Sequence, residues 1–288
     1  MHVFIPQIVA VACSMSYAAS NIAARLGMKH SNPVTMTLVS FTTQTVVLGV
    51  YVLVSGNRPP LSYFPAILFM GIGLIMPIIR ILSYTGVSTM GASRSVALRS
   101  SHPLFGSLFA IFVLREEPTP VVLTGTMLVV AGTFLISWQS DGAATAKGWW
   151  YALYPLSAGA ITGLVQPVVR YGLKSSDYPI FFTALVGAAS LAFSLTLLPL
   201  VKKYQRPVWG LQAVKGLLIA SLFENLGFVL FIASFGLAPV ATVSPIIALS
   251  PMWVVIAGLV IFHKRLGWQT IIGTVSTVIG TIAITLAP

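Results

Sequence analysis

The sequence predicts an all-α polytopic membrane protein, with ten transmembrane helices as two inverted five-helix repeats around a central cavity. Three observations carry that expectation. Of 288 residues, 57% are hydrophobic and only 7% charged, against about 25% charged in an ordinary soluble domain. So few charges cannot cover a water-facing surface. Apolar stretches of roughly 20 residues recur along the whole chain, each long enough to cross about 30 Å of hydrocarbon as a helix. Finally, the second half repeats the pattern of the first.

In chain order the spans fall at about 5–27, 33–54, 62–86, 90–113, 119–138, 148–172, 178–201, 210–235, 240–262 and 267–287. Turn signals separate them: HSNP at 30–33, SGNRPP at 55–60, REEPTP at 115–120, SDGA at 140–143, SSDYP at 175–179 and KKYQRP at 202–207. Only TGVSTMG joins the third span to the fourth, and FGLAP the eighth to the ninth, so both connections must be tight. Strands of a membrane barrel would alternate apolar and polar residues over about 10 positions, and no such alternation is present. The first span follows no basic segment and ends in no small-residue cleavage site, so it is expected to be a retained helix rather than a signal peptide.

The net charge is +11. Most Lys and Arg fall at span ends (Lys29, Arg58, Lys147, Lys202, Lys203, Arg206, Lys264, Arg265), where they face lipid headgroups. Basic patches interleaved with aromatics are absent, which argues against nucleic acid as a partner. The single Cys13 excludes an intrachain disulfide or a multi-thiolate metal cluster, and it reads as a small apolar filler.

The repeat is visible without gaps. At an offset of 148, Pro103 falls on Pro251, Gly125-Thr126 on Gly273-Thr274, and Gly132-Thr133 on Gly280-Thr281. At an offset of 145, NIAARLG (21–27) lies over QPVVRYG (166–172), pairing Asn21 with Gln166 and Arg25 with Arg170. Residues 1–138 and 139–288 are thus expected to be two five-helix repeats of one membrane domain. An odd number of helices forces the second repeat to enter the membrane in the opposite sense, an arrangement common in secondary transporters. The count of Lys and Arg over alternate loops favours both termini outside the cytoplasm, although the first half alone is balanced.

The ten spans and the five-plus-five repeat resemble the drug/metabolite transporter superfamily, and within it the EamA family of ten-helix exporters. Glu116 with Gly125, AGT at 131–133, Gly273 and IGT at 279–281, with Pro103 and Pro251 upstream, carry the resemblance. Two departures stand out. Lys264 occupies the position where the second half of the family typically has a glutamate, and residues 5–27 lack the carboxylate that couples four-helix members to protons. The resemblance implies a cavity walled by the first, third, fourth, sixth, eighth and ninth spans, with the fifth and tenth at the rim and both termini in the cytoplasm. Among the branches the chain looks most like YddG-type amino-acid exporters.

Ionisable groups inside a membrane cost a few kcal/mol each or more and tend to face a partner or a pathway. The deep ones here are Arg80, Arg99, His102 and Glu224, with Arg94 nearer a helix end. Arg99 and His102 share a helical face, and at about 1.5 Å per residue Arg99 and Glu224 lie at similar depth, with Arg80 near. Two readings compete. Glu224 is a buried counter-ion for Arg80 or Arg99, holding three helices together, or one arginine is left over to receive a substrate carboxylate through two parallel hydrogen bonds. Tyr17, Asn21, Tyr84, Tyr154, Gln166 and Asn225 supply phenols and amides for the remainder of a binding site. Pro103 and Pro251 suggest matched hinges in the fourth and ninth spans.

No catalytic carboxylate pair, nucleophile motif, metal cluster or P-loop is present, so neither an enzyme nor a cofactor is expected. The reading is of a monomer-sized secondary transporter or facilitator in an inner membrane, exporting amino acids, including aromatic ones, or similar small metabolites by alternating access. An exporter of amphiphilic cationic drugs, with Glu224 as the binding charge, is the alternative. A membrane enzyme acting on lipid headgroups is a remote third, since no large polar loop domain is present.

Overall fold

The computed structural model describes residues 4–56, 59, 63–115, 117–138, 149–201, 205–262 and 267–286. Among these there are helices and no strands. The helices are α1 (Ile5–Gly27), α2 (Pro33–Ser55), α3 (Tyr63–Met90), α4 (Ala92–Arg99), α5 (His102–Leu114), α6 (Pro120–Trp138), α7 (Leu153–Ser175), α8 (Pro179–Val201), α9 (Leu211–Leu237), α10 (Val240–Ile247), α11 (Ser250–Phe262) and α12 (Trp268–Leu286).

Local chemistry sets the boundaries. Asn32 caps α2, its side chain accepting from Thr35 N at 2.9 Å, and Pro33 occupies the first helical turn, where a missing N–H costs nothing. The third span runs through TGVSTM to Met90, so the turn into α4 is Gly91 alone. Its φ of 86° is open to glycine at little cost.

The fourth and ninth spans, expected as single helices, are each broken in two. Ser100 N bonds Val96 O and Ser101 N bonds Leu98 O, at 2.9 and 3.3 Å. In the same pattern Ala248 N bonds Ser244 O and Leu249 N bonds Ile246 O, both at 3.1 Å. Pro103 and Pro251 follow each break. Having no N–H, they cannot donate to Arg99 O or Ile247 O, so the helix is not carried across.

Seven stretches of the described residues are long and apolar enough to cross a membrane, one of them running from Val240 through the second break. Pro120–Leu135 and Trp268–Ile284 are shorter apolar helices, and α4 and α5 are only 8 and 13 residues long. The chain is a multi-pass membrane protein, with helices and no strands among its described residues.

α1 lies along α9, and α3 lies along α7 and α8. α2 bridges α8 and α9, and α6 and α12 pack on each other. The α6–α12 seam is made by glycine. A Cβ at Gly132 would stand 2.6 Å from Gly273 O, and one at Gly280 2.6 Å from Gly125 O. Without a hydrophobic drive between helices in lipid, such close backbone approach is what holds them together. The glycines that carry the family resemblance are therefore helix-packing residues. Glu116 and Lys264 lie outside the described residues. On α7, Gly159 and Gly163 do the same for the first break, where a Cβ would lie 2.7 Å from Arg99 O and from His102 O respectively. The broken helix thus lies hard against α7, and its polar residues turn inward.

Candidate functional site

A cavity of about 60 Å³ lies between α1, α3, α4, α5, α7, α9, α10 and α11. Tyr17, Arg80, Tyr84, Arg99, His102 and Glu224 line it, and Met76, Ile79, Phe228, Phe231 and Ile247 give it an apolar side. Among the described residues, none of α6 or α12 lines it.

Arg80 and Glu224 form its structural pair. Arg80 is 4% and Glu224 7% exposed, and Arg80 Nε stands 4.0 Å from Glu224 Oε1. Arg80 also donates to Ser40 Oγ and to Gln44 Oε1 (3.2 Å) on α2. Its guanidinium lies 4.5 Å from the centroid of the Phe41 ring and 5.9 Å from that of Phe228. Glu224 Oε2 accepts from Ser20 Oγ at 2.9 Å. Four helices, α1, α2, α3 and α9, are tied through this one ion pair. The glutamate meets Arg80, not Arg99.

Arg99 is different. It ends α4, is partly buried, and its guanidinium lies 5.7 Å from the centroid of the Tyr17 ring. Among the described residues no hydrogen bond or ion pair engages it. A guanidinium on a cavity wall with five N–H donors free is a receptor for a planar anion.

His102 begins α5 just after the break and is held from two sides. Gln166 Nε2 lies 2.8 Å and Ser244 Oγ 3.2 Å from its Nδ1, while Ser244 donates to Gln166 Oε1 at 2.7 Å. With Gln166 donating to Nδ1, the ring's own donor is Nε2. This three-way network joins α5, α7 and α10.

Three more polar atoms on the cavity wall have no partner: Ser83 Oγ, Tyr84 Oη and Ser250 Oγ. Tyr84 comes near Ser40 without a bonding geometry. All three residues are 5% exposed or less, where an unmet hydroxyl costs about 1–3 kcal/mol.

The structure brings Tyr17, Arg80, Tyr84, Arg99, His102 and Glu224 to one cavity and Gln166 to its edge. It leaves others outside the wall. Tyr154 is 38% exposed, with its ring 6.3 Å from that of Tyr151. In the first turn of α7 it points outward, whereas Thr162, two turns on, lines the cavity. Asn21 donates to its own helix at Tyr17 O (2.6 Å), and Asn225 donates to Ser40 O (3.3 Å). Pro103 and Pro251 are buried beside the breaks. Ser20, Ser40, Gln44, Ser83, Ser244 and Ser250 are site residues that the sequence did not single out. For Ser83 and Ser250 the signal was there: Ser83 is one turn from Arg80, and Ser250 falls on His102 at the offset of 148.

The model of the EamA-like transporter family matches residues 5–138 and again 149–286. A protein of Synechocystis sp. described as an uncharacterized transporter is 24% identical over 142 residues, 48% of this chain and 42% of the relative. The match therefore spans less than half of that relative's length. A crystal structure of a protein 15% identical in sequence superposes with a TM-score of 0.74, covering 98% of each chain. At that identity the likeness shows the fold alone.

Proposed function

From the premise that this chain belongs to the EamA-like transporter family, which carries small molecules across membranes, we propose that it exports amino acids, including aromatic ones, or similar small carboxylates across an inner membrane. It does so as a monomeric secondary transporter or facilitator, by alternating access.

The observation that carries this reading is Arg99. Of the two guanidinium groups on the cavity wall, Arg80 is engaged by Ser40, Gln44 and Glu224, and Arg99 is left to bind. Guanidinium meets carboxylate through two parallel hydrogen bonds, and the apolar side of the cavity suits a hydrocarbon or ring tail. The reading of Glu224 as the binding charge for a cationic drug is disfavoured, because Arg80 already balances its charge and Ser20 donates to Oε2.

Alternating access needs two halves that exchange conformations, and ten helices in two inverted repeats, 1–138 and 139–288, would supply them. What supports the repeat is the cavity itself. Met76, Arg80, Ser83, Arg99 and His102 line it, and so do the residues 148 positions on: Glu224, Phe228, Phe231, Ile247 and Ser250. Tyr17 and Thr162 form a sixth such pair at 145. A site on a pseudo-two-fold axis would meet both sides of the membrane alike. On this reading the termini are cytoplasmic, as in the family, and Pro103 and Pro251 are the hinge residues.

The test is counterflow in proteoliposomes with a labelled panel of amino acids and their deaminated analogues, comparing wild type with Arg99→Ala. Saturable exchange that is lost in the variant is the expected result. Saturable exchange unchanged by it would keep the carrier but remove Arg99 from binding. The absence of saturable exchange for every carboxylate would sink the proposal and move attention to Glu224 and cations.

A further inference from the structure

The charges on the cavity wall do not balance. Arg80 and Arg99 face a single carboxylate, Glu224, the only one within a helix among the described residues; Glu117 and Asp177 lie in exposed connections. Glu224 is already spent, with Oε2 accepting from Ser20 and Oε1 facing Arg80. One positive charge, on Arg99, is left without a counter-ion.

A partly buried guanidinium without a counter-ion is only partly hydrated, so a ligand that brings a negative charge gains by neutralising it in a low-dielectric site. A zwitterion offers a carboxylate to Arg99 but adds an ammonium for which no free anion remains. The net excess then stays at one. A monoanion removes it.

The unpartnered hydroxyls point the same way. Ser83 Oγ, Tyr84 Oη and Ser250 Oγ are three buried O–H donors on the same wall. With the guanidinium they can meet the lone pairs of a carboxylate and of a keto or hydroxyl oxygen beside it. His102, the remaining titratable group of the wall with Tyr17 and Tyr84, brings no negative charge and is tied to Gln166 and Ser244.

We propose that the cavity selects a carboxylate of net charge −1, with an apolar or aromatic tail and a 2-keto or 2-hydroxy oxygen, over the zwitterionic amino acid of the same shape. Arg99 binds the carboxylate, and Ser83, Tyr84 and Ser250 bind the neighbouring oxygen. The inference rests on the carrier reading above and deepens it. Uniport of such a substrate moves one negative charge, so a membrane potential negative inside drives export by itself. Each 100 mV sustains a concentration ratio on the order of 50-fold.

The experiment compares labelled phenylpyruvate with labelled phenylalanine, which share a ring and differ in net charge at pH 7. It uses proteoliposomes of the full chain, with potentials set by potassium and valinomycin and protein-free vesicles as background. Phenylpyruvate should exchange at least about 10-fold faster, and its distribution should follow the imposed potential. Arg99→Gln should narrow the preference, and Ser83→Ala or Ser250→Ala should raise the half-saturating concentration of phenylpyruvate more than that of a carboxylate lacking the second oxygen. Phenylalanine exchanging as fast or faster, with loss in Arg99→Ala, would overturn the charge selectivity while leaving the carrier standing. A net phenylpyruvate distribution indifferent to the imposed potential would overturn the uniport. Failure of both probes to exchange would take the carrier reading down as well.

Discussion

Arg80 and Arg99 carry the same charge on the same cavity and differ in what surrounds them. Arg80 is closed in by Ser40, Gln44, Phe41 and Glu224, so removing it strands a buried carboxylate at a cost of about 3–5 kcal/mol. Arg99 has no such partner, and removing it strands nothing. Arg80→Met is therefore expected to lower the unfolding temperature in detergent by on the order of 10 °C, and the Arg80→Met/Glu224→Gln pair to recover much of the loss. Arg99→Met should leave that temperature nearly unchanged. Equal losses in the two single variants would mean that the assignment of structural and binding arginine is wrong. Counting residues along helices was enough to put Arg80, Arg99 and Glu224 at one depth, because helical rise is fixed. Which arginine meets the glutamate was not legible. That choice is made by Ser40, Gln44 and Ser20, and a serine in an apolar span looks the same whether it bonds its own helix, as Ser16 does with Ala12 O, or a charge on another.

At the scale of elements, the two broken helices are where sequence and structure diverge in an informative way. Hydrophobic runs at 90–113 and 240–262 read as single spans because apolar length registers burial and not hydrogen bonding. The prolines were the legible part, and the breaks two residues ahead of them were not. Each break turns the first polar residue of the next helix, His102 or Ser250, onto the cavity wall. In an uninterrupted helix, proline is about 3 kcal/mol worse than alanine, on the order of 100-fold in an equilibrium between broken and joined forms. The double variant Pro103→Ala/Pro251→Ala is accordingly expected to favour joined helices and to slow exchange several-fold, with a smaller effect on each half-saturating concentration. Exchange rates equal to wild type would dispose of the hinges. The GT pairs that recur in the last helix of each half were legible but mark packing. Gly125, Gly132, Gly273 and Gly280 were the legible marks of the family, and they serve the α6–α12 seam, away from the site.

The whole molecule is constrained by one further relation. The turn after α1 is latched to the segment before α9: Asn32 Nδ2 donates to Arg206 O at 2.6 Å, Ser31 Oγ to Val208 O at 2.9 Å, and Val208 N to Thr35 Oγ1 at 2.8 Å. Those two connections thus share one end of the bundle. The turn between α7 and α8 lies at the other end of α8, whose 23 residues span about 35 Å, the thickness of a membrane. Lys29 and Lys174 are both exposed, 145 positions apart and so equivalent in the two halves, yet they sit at opposite ends. If the halves are inverted in the membrane, a cysteine at one is reachable from the cytoplasm and a cysteine at the other from outside. The chain offers a clean background, since its one cysteine, Cys13, is buried and donates to Gly227 O at 3.2 Å. In Cys13→Ala, Lys29→Cys and Lys174→Cys are expected to react with a membrane-impermeant maleimide from opposite faces of right-side-out and inverted vesicles. The face that labels Lys29→Cys also fixes the orientation, on which the charge count and the family resemblance disagree. Labelling of both cysteines from the same face would mean that the halves are not inverted, and a cavity shared by equivalent residues would then need another explanation than alternating access.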